Sequence, residues 1–169
     1  MDNFFKDAEI PASSSSSYLS FKEGETTFRI LPGPTTSGWE YWNTSGKPVR
    51  SIEKPIGKPV DIREEDDSTW KIKYFWAFPV WNYAEKRVQL LELTQKSIME
   101  AIQRFARNPQ WGDPRGYDLT VARDGMGLQT NYTVFPLPAV PFDAEGALQG
   151  LVVRMEALFE GGDPFTGKK

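Results

Sequence analysis

The chain has no cysteine and no histidine in its 169 residues. That excludes disulfides, thiol nucleophiles, Ser-His-Asp triads and zinc sites of the usual Cys/His type. Long apolar runs are missing as well: no segment approaches the roughly 20 residues that a membrane-spanning helix needs. The start, with Asp2, Asp7 and Glu9, lacks the basic region and apolar stretch of a signal peptide. These absences predict a soluble protein without membrane contact, in the cytoplasm of the cell that makes it. An excess of cations is also lacking. Net charge is −3, from 20 Lys+Arg against 23 Asp+Glu, which argues against a polycation that coats duplex DNA.

What is abundant is aromatic, at 14% of residues, and the rings concentrate between Trp70 and Leu93. Read with a period of two, Ile72, Tyr74, Trp76, Phe78 and Val80 form an apolar face. The alternate positions Lys71, Lys73, Phe75, Trp81 and Tyr83 interleave cations with rings. The first face predicts a core and the second a flat, negatively charged partner. Aromatic and β-branched enrichment favours a strand, and the break at Tyr83-Ala-Glu-Lys86 predicts a hairpin into a second strand, Arg87 to Leu93. Pro79, in mid-strand, predicts a bulge that changes the facing of Trp81 and Tyr83.

Around this stretch the chain reads as one domain, residues 18–160, between a serine-rich flexible arm (1–17) and a loose tail (161–169). Phe4 and Phe5 in the arm are candidate apolar anchors for a neighbouring molecule. Strands are expected at Tyr18–Ile30, broken by Pro32-Gly33-Pro34, at Trp39–Trp42, and around Gly46–Arg50. Residues 52–69 form an extended loop whose run Arg63-Glu-Glu-Asp-Asp67 reads as solvated charge rather than a metal site. Thr94 is the expected cap of a helix with Ile98, Ala101, Ile102 and Phe105 on one face, Arg104 and Arg107 near its end, and Asn108-Pro109 as its stop. Two further strands, Tyr117–Arg123 and Leu128–Phe135, flank a turn at Asp-Gly-Met-Gly. Asp143 caps an expected last helix carrying Leu148, Leu151, Val152, Met155 and Leu158, with Gly146 and Gly150 weakening its first half.

This order predicts a mainly β protein built as an OB-fold: a five-stranded Greek-key barrel with a helix between strands 3 and 4, an extra β-hairpin and a C-terminal helix. The second and third strands, where such a barrel binds, are then Trp39–Arg50 and Lys71–Tyr83.

The segments Tyr18-Leu19 with Gly24-Glu-Thr-Thr-Phe-Arg-Ile-Leu-Pro32, Lys73-Tyr-Phe-Trp-Ala77 leading through a hairpin to a helix, and Tyr117-Asp-Leu-Thr120 with Gly127 and Tyr132-Thr-Val134 span residues 18–138. In order and spacing they resemble the bacteriophage single-stranded DNA-binding (helix-destabilising) proteins with an OB-fold core. The resemblance implies non-catalytic coating of unpaired DNA in phage replication, recombination or repair, in the host cytoplasm. It also implies replication or recombination proteins as partners and self-association along DNA. The Cys/His zinc site that some members carry is not expected here, since neither residue type is present, and where members often have an acidic tail this sequence reads Thr-Gly-Lys-Lys169.

The expected mechanism is stacking of bases on Phe75 and Trp81, with Trp39, Tyr41 and Tyr83 behind them, while Lys71, Lys73, Lys86, Arg87 and Arg50 track phosphates. No cofactor is required. Two alternatives have their own expectations. A virion structural or assembly protein with a β-rich core predicts no salt-sensitive binding to oligonucleotides. A metal-dependent nuclease using Glu64, Glu65, Asp66 or Asp67 predicts magnesium-dependent degradation.

Overall fold

The aromatic stretch forms the longest strand among the described residues, with strands on both its edges and a core cluster on each of its faces. In the computed structural model, which describes residues 17–65 and 68–165, the strands are β1 (Gly24–Ile30), β2 (Thr36–Trp42), β3 (Pro48–Ser51), β4 (Lys73–Asn82), β5 (Arg87–Leu93), β6 (Asp118–Asp124) and β7 (Asn131–Pro136). The helices are α1 (Lys96–Arg107), α2 (Ala144–Leu148) and α3 (Glu156–Phe159). Every strand pairing is antiparallel, in the order β3-β2-β4-β1-β6-β7, with β5 on the second edge of β4. The protein is thus mainly β, a seven-stranded antiparallel sheet. Among the described residues β5 and β7 do not pair, so the sheet is open where a barrel would close, and α1 lies against both strands.

β4 pairs along Trp76–Asn82 with β5 on one edge; on the other it pairs first with β2 (Lys73–Ala77) and then with β1 (Val80–Asn82). Pro79 falls where the neighbour changes. A missing N–H leaves no broken ladder bond in that gap, and the Pro79 carbonyl accepts from the Leu31 N–H at 3.0 Å. The expected bulge is absent, since the register with β5 runs unbroken from Trp76↔Leu93 to Asn82↔Arg87.

Both faces of β4 are covered along much of its length. The even face carries Phe78 and Val80 into the main core with Phe28, Ile30, Leu91, Leu93, Leu119 and Val121, and α1 closes it with Ile98, Met99 and Ile102. The odd face carries Phe75 and Ala77 into a second cluster with Leu90, Met155 and Leu158, which Phe159 and Phe165 flank. That second layer exists because the chain after β7 returns across the sheet.

The C-terminal third differs most from expectation. Asp143 caps as expected, its Oδ1 accepting from the Gly146 N–H at 2.8 Å, but the helix ends after five residues. Gly150 takes φ +77, a left-handed conformation that ends helices. Residues 151–154 are non-helical and α3 has four residues. The expected tail is docked through residue 165: the Arg154 N–H donates to the Pro164 carbonyl at 2.7 Å, and Pro164 is buried.

At the other end Ser17 and Tyr18 pair with β5. The Leu90 N–H donates to the Ser17 carbonyl at 2.7 Å, and the Leu19 N–H to the Leu90 carbonyl at 2.8 Å. The rest of the expected arm, with Phe4 and Phe5, lies outside the described residues. So do Asp66, Asp67 and residues 166–169.

Two local expectations also shift. Gln95, not Thr94, is the residue preceding α1, and it makes no side-chain cap. Residue 128 lies in a 3-10 turn, Gly127–Gln129, ahead of β7 rather than on it.

Gly38 on β2 faces Phe75 across the strand pair. A Cβ there would lie 2.6 Å from the Ser51 carbonyl oxygen and 3.1 Å from the rings of Phe75 and Phe159. Gly38→Ala is therefore expected to destabilise the fold by about 1–3 kcal/mol through overpacking. Urea unfolding checks this, and an unchanged midpoint would remove the claim that the backbone is pinned there.

Candidate nucleic-acid interface

The even face of β4 is core at Val80 and Phe78, half-buried at Trp76, and 40% exposed at Tyr74. The core therefore runs out into solvent at the N-terminal end of the strand, and the ring types follow. Phe and Val fill the closed end, whereas Tyr and Trp, with polar edges, fill the wet one. β2 places Trp39 directly opposite Tyr74, with ring centroids 5.1 Å apart and planes at 58°. The opposite wall is one stripe of α1, Lys96, Met99, Glu100 and Gln103, at the i, i+3, i+4, i+7 spacing of one helix face. Between them lies an open groove of about 570 Å³ lined also by Lys73, Trp76 and Thr94.

Cations rim this groove. The Lys54 ammonium sits 5.0 Å over the Trp39 ring, Lys73 begins β4, and Lys96 opens α1, pairing loosely with Glu100 at 3.8 Å. The N-terminal turn of α1, uncapped by Gln95, adds the positive pole of its dipole at the same rim. Among the described residues neither Lys71 nor Lys73 has a carboxylate partner. A molecule of net charge −3 thus carries a local positive edge beside a pair of contacting rings. Groups of this kind hold flat π-faces and anions together.

The structure brings together four of the ten residues singled out in the sequence. Trp39, Lys71 and Lys73 lie at this end of β4. Tyr41 lies on β2 beside them, its hydroxyl donating to Asp61 at 2.8 Å; burial and that carboxylate raise its pKa.

The other six are elsewhere. Phe75 is 0% exposed and packs beneath Met155 and Leu158, so it has no face to offer a base. Arg50 is locked in a buried triad, its Nε 3.0 Å from Glu40 and its terminal nitrogen 2.7 Å from Glu92, and it has no free donor fork for phosphate. Trp81 and Tyr83 lie at the far end of β4 against Phe142, each at 6.1 Å between centroids. The Tyr83 hydroxyl donates to Asp118 at 2.8 Å, and burial, followed by that hydrogen bond, pushes its pKa up to about 12. Lys86 ends the β4–β5 turn in a left-handed conformation, and Arg87 opens β5 beside it, facing Glu85 at 3.6 Å. That turn is about 30 Å from Lys73 at roughly 3.3 Å per strand residue.

Tyr74, Trp76, Trp70, Lys54 and Lys96 are the residues that reading by face left out. Alternation placed Tyr74 and Trp76 in the core, correctly for the face. The change from Phe and Val to Tyr and Trp along that face was the available sign that its outer end is wet. In the loop before β4, Glu64 pairs with Lys58, and among the described residues no three acidic side chains converge as a metal site would require. No described helix is long and apolar enough to cross a membrane. No family model, curated protein or solved structure matches this chain.

Proposed function

We propose that this protein binds single-stranded DNA without sequence preference and without catalysis, through the groove between β2, β4 and α1. The observation that carries this reading is the Trp39–Tyr74–Trp76 platform, open to solvent and rimmed by Lys54, Lys73 and Lys96. Bases stack on the rings at about 1–3 kcal/mol each while the ammonium groups hold the flanking phosphates.

Strand connectivity supports the reading. With the β2–β3 excursion set aside, β1, β4, β5, β6 and β7 follow one another in the OB manner, with α1 between the third and fourth of them. On this reading the second and third strands are β4 and β5, not Trp39–Arg50 and Lys71–Tyr83, and the groove lies on β4 with β2 as an added wing. The setting implied by the resemblance is coating of unpaired phage DNA during replication, recombination or repair in the host cytoplasm. Self-association along the strand and contacts with replication or recombination proteins belong to the same proposal.

Titration with oligo-dT tests it. Fluorescence of the six tryptophans is expected to quench, and log affinity to fall against log salt with a slope of about −0.7 per phosphate neutralised. Tyr74→Ala is expected to weaken binding by roughly 5- to 150-fold, the equivalent of one stacked base. Absence of any salt-sensitive binding would favour the assembly-protein reading, and magnesium-dependent loss of the oligonucleotide would favour the nuclease.

A further inference from the structure

The groove does not end at Lys73. A second concavity of about 470 Å³ opens beyond it, lined by Lys54, Pro55, Gly57, Trp70, Lys71 and Ile72 together with Lys73 itself. Trp70 is 38% exposed there. Two side chains belong to both spaces: Lys73 lines each of them, and Lys54 lines the second while its ammonium lies over Trp39 of the first. A third, smaller concavity also touches Lys73, but Glu40 and Glu65 line it, and its Arg63 is already stacked 5.7 Å over Trp42. Lys71 lines both continuations, so Lys54 and the acids decide between them: an anionic backbone leaving Lys73 meets a second ammonium and no carboxylate on one side, and Glu65 with the Arg50-paired Glu40 on the other.

We propose that one unpaired strand occupies both concavities in succession, with bases on the Trp39–Tyr74–Trp76 platform, the backbone turning over Lys73, and a further base on Trp70. This rests on the proposed function and adds its path, footprint and phosphate anchor. From Trp76 to Trp70 the route follows six residues, at most about 20 Å of chain, so the footprint falls at the low end of the 4–16 nucleotides or so of single-domain binders. Lys73, shared by both spaces, holds the phosphate between the two stacking stations.

A length series of oligo-dT, from about 3 to about 12 nucleotides, tests the path on the full chain. Wild-type affinity is expected to rise in a step once the oligonucleotide reaches Trp70. Trp70→Ala is expected to match wild type on the shortest oligomer and to bind the longest roughly tenfold more weakly. Tyr74→Ala is expected to lose affinity at every length. Lys71→Gln, an exposed surface change, is expected to reproduce the length-dependent loss in milder form, and Lys73→Gln to lower the salt slope by about one phosphate's worth at all lengths. If wild type binds but Trp70→Ala and Lys71→Gln bind the longest oligomer as well as it does, the path is wrong while the function stands. An equal loss on short and long oligomers also overturns the succession. If wild type binds no oligomer, function and path fall together.

Discussion

Replacing Arg50 by alanine is expected to cost about 3–5 kcal/mol of folding stability, because it removes the guanidinium that pairs with two buried acids. The Arg50 side chain is 7% exposed, and those of Glu40 and Glu92 are 8% and 11% exposed. The guanidinium joins β2, β3 and β5, reaches the Leu158 carbonyl on α3 at 3.4 Å and lies 5.8 Å from the centre of the Tyr18 ring. Burial first, then the hydrogen bond and charge of Glu40, push the Glu92 pKa up to about 8 against the pull of Arg50. At pH 7 Glu92 therefore largely keeps its proton.

The pH dependence follows from that proton. In the unfolded chain Glu92 titrates near 4.3, so between there and about 8 the folded state holds a proton that the unfolded state has lost. This contribution to stability is present in full below the lower value. It declines as pH rises, at up to about 1.4 kcal/mol per pH unit, and is gone above the upper one. Glu92→Gln keeps a hydrogen-bonding side chain of the same shape without the titration. Denaturant unfolding between pH 5 and 9 is expected to show the wild type losing stability relative to Glu92→Gln as pH rises; parallel curves for the two proteins would refute the assignment. Arg50→Ala should also leave the salt slope of oligonucleotide binding unchanged in whatever fraction stays folded, since its charge is spent inside the molecule.

Phe75→Ala is expected to cost a comparable 3–5 kcal/mol, read as a lower urea midpoint at constant slope. The ring is fully buried among Ala77, Leu90, Met155 and Leu158 and 6.1 Å from Phe159, so truncation leaves a cavity under the C-terminal segment. Tyr74→Ala, one residue earlier, is expected to cost less than about 1 kcal/mol of stability beyond its contact with Trp39, and to show its effect in DNA binding. Two adjacent aromatic residues on one strand thus separate stability from binding. A Phe75→Ala protein of normal stability that has lost DNA affinity would reverse the assignment of the two faces.

Much of the architecture was legible because it depends on local pattern. The β4–β5 hairpin follows from alternation on both sides of a polar turn. α1 follows from Ile98, Ala101 and Ile102, all buried as their spacing requires. The Asp143 cap was likewise readable in place, since a short acceptor beside a helix start acts within three residues. The length of the helix after it was not, because Gly146 and Gly150 left a helix that contact with the sheet had to complete, and residues 151–154 instead pass the sheet as non-helical chain.

The sequence by itself determined that β4 is a strand, that Tyr74, Trp76, Phe78 and Val80 share one side of it, and that its lysines cluster at its start. These are consequences of a backbone whose side chains alternate every residue. Which side meets water, and over what length, was decided only by the tertiary structure. Residues 137–165 return from the end of the chain to cover Phe75, Trp81 and Tyr83, while α1 stops short of Tyr74. A period-two pattern says which residues face together, but burial belongs to whatever packs against them, and here that layer comes from more than 50 residues further along the chain.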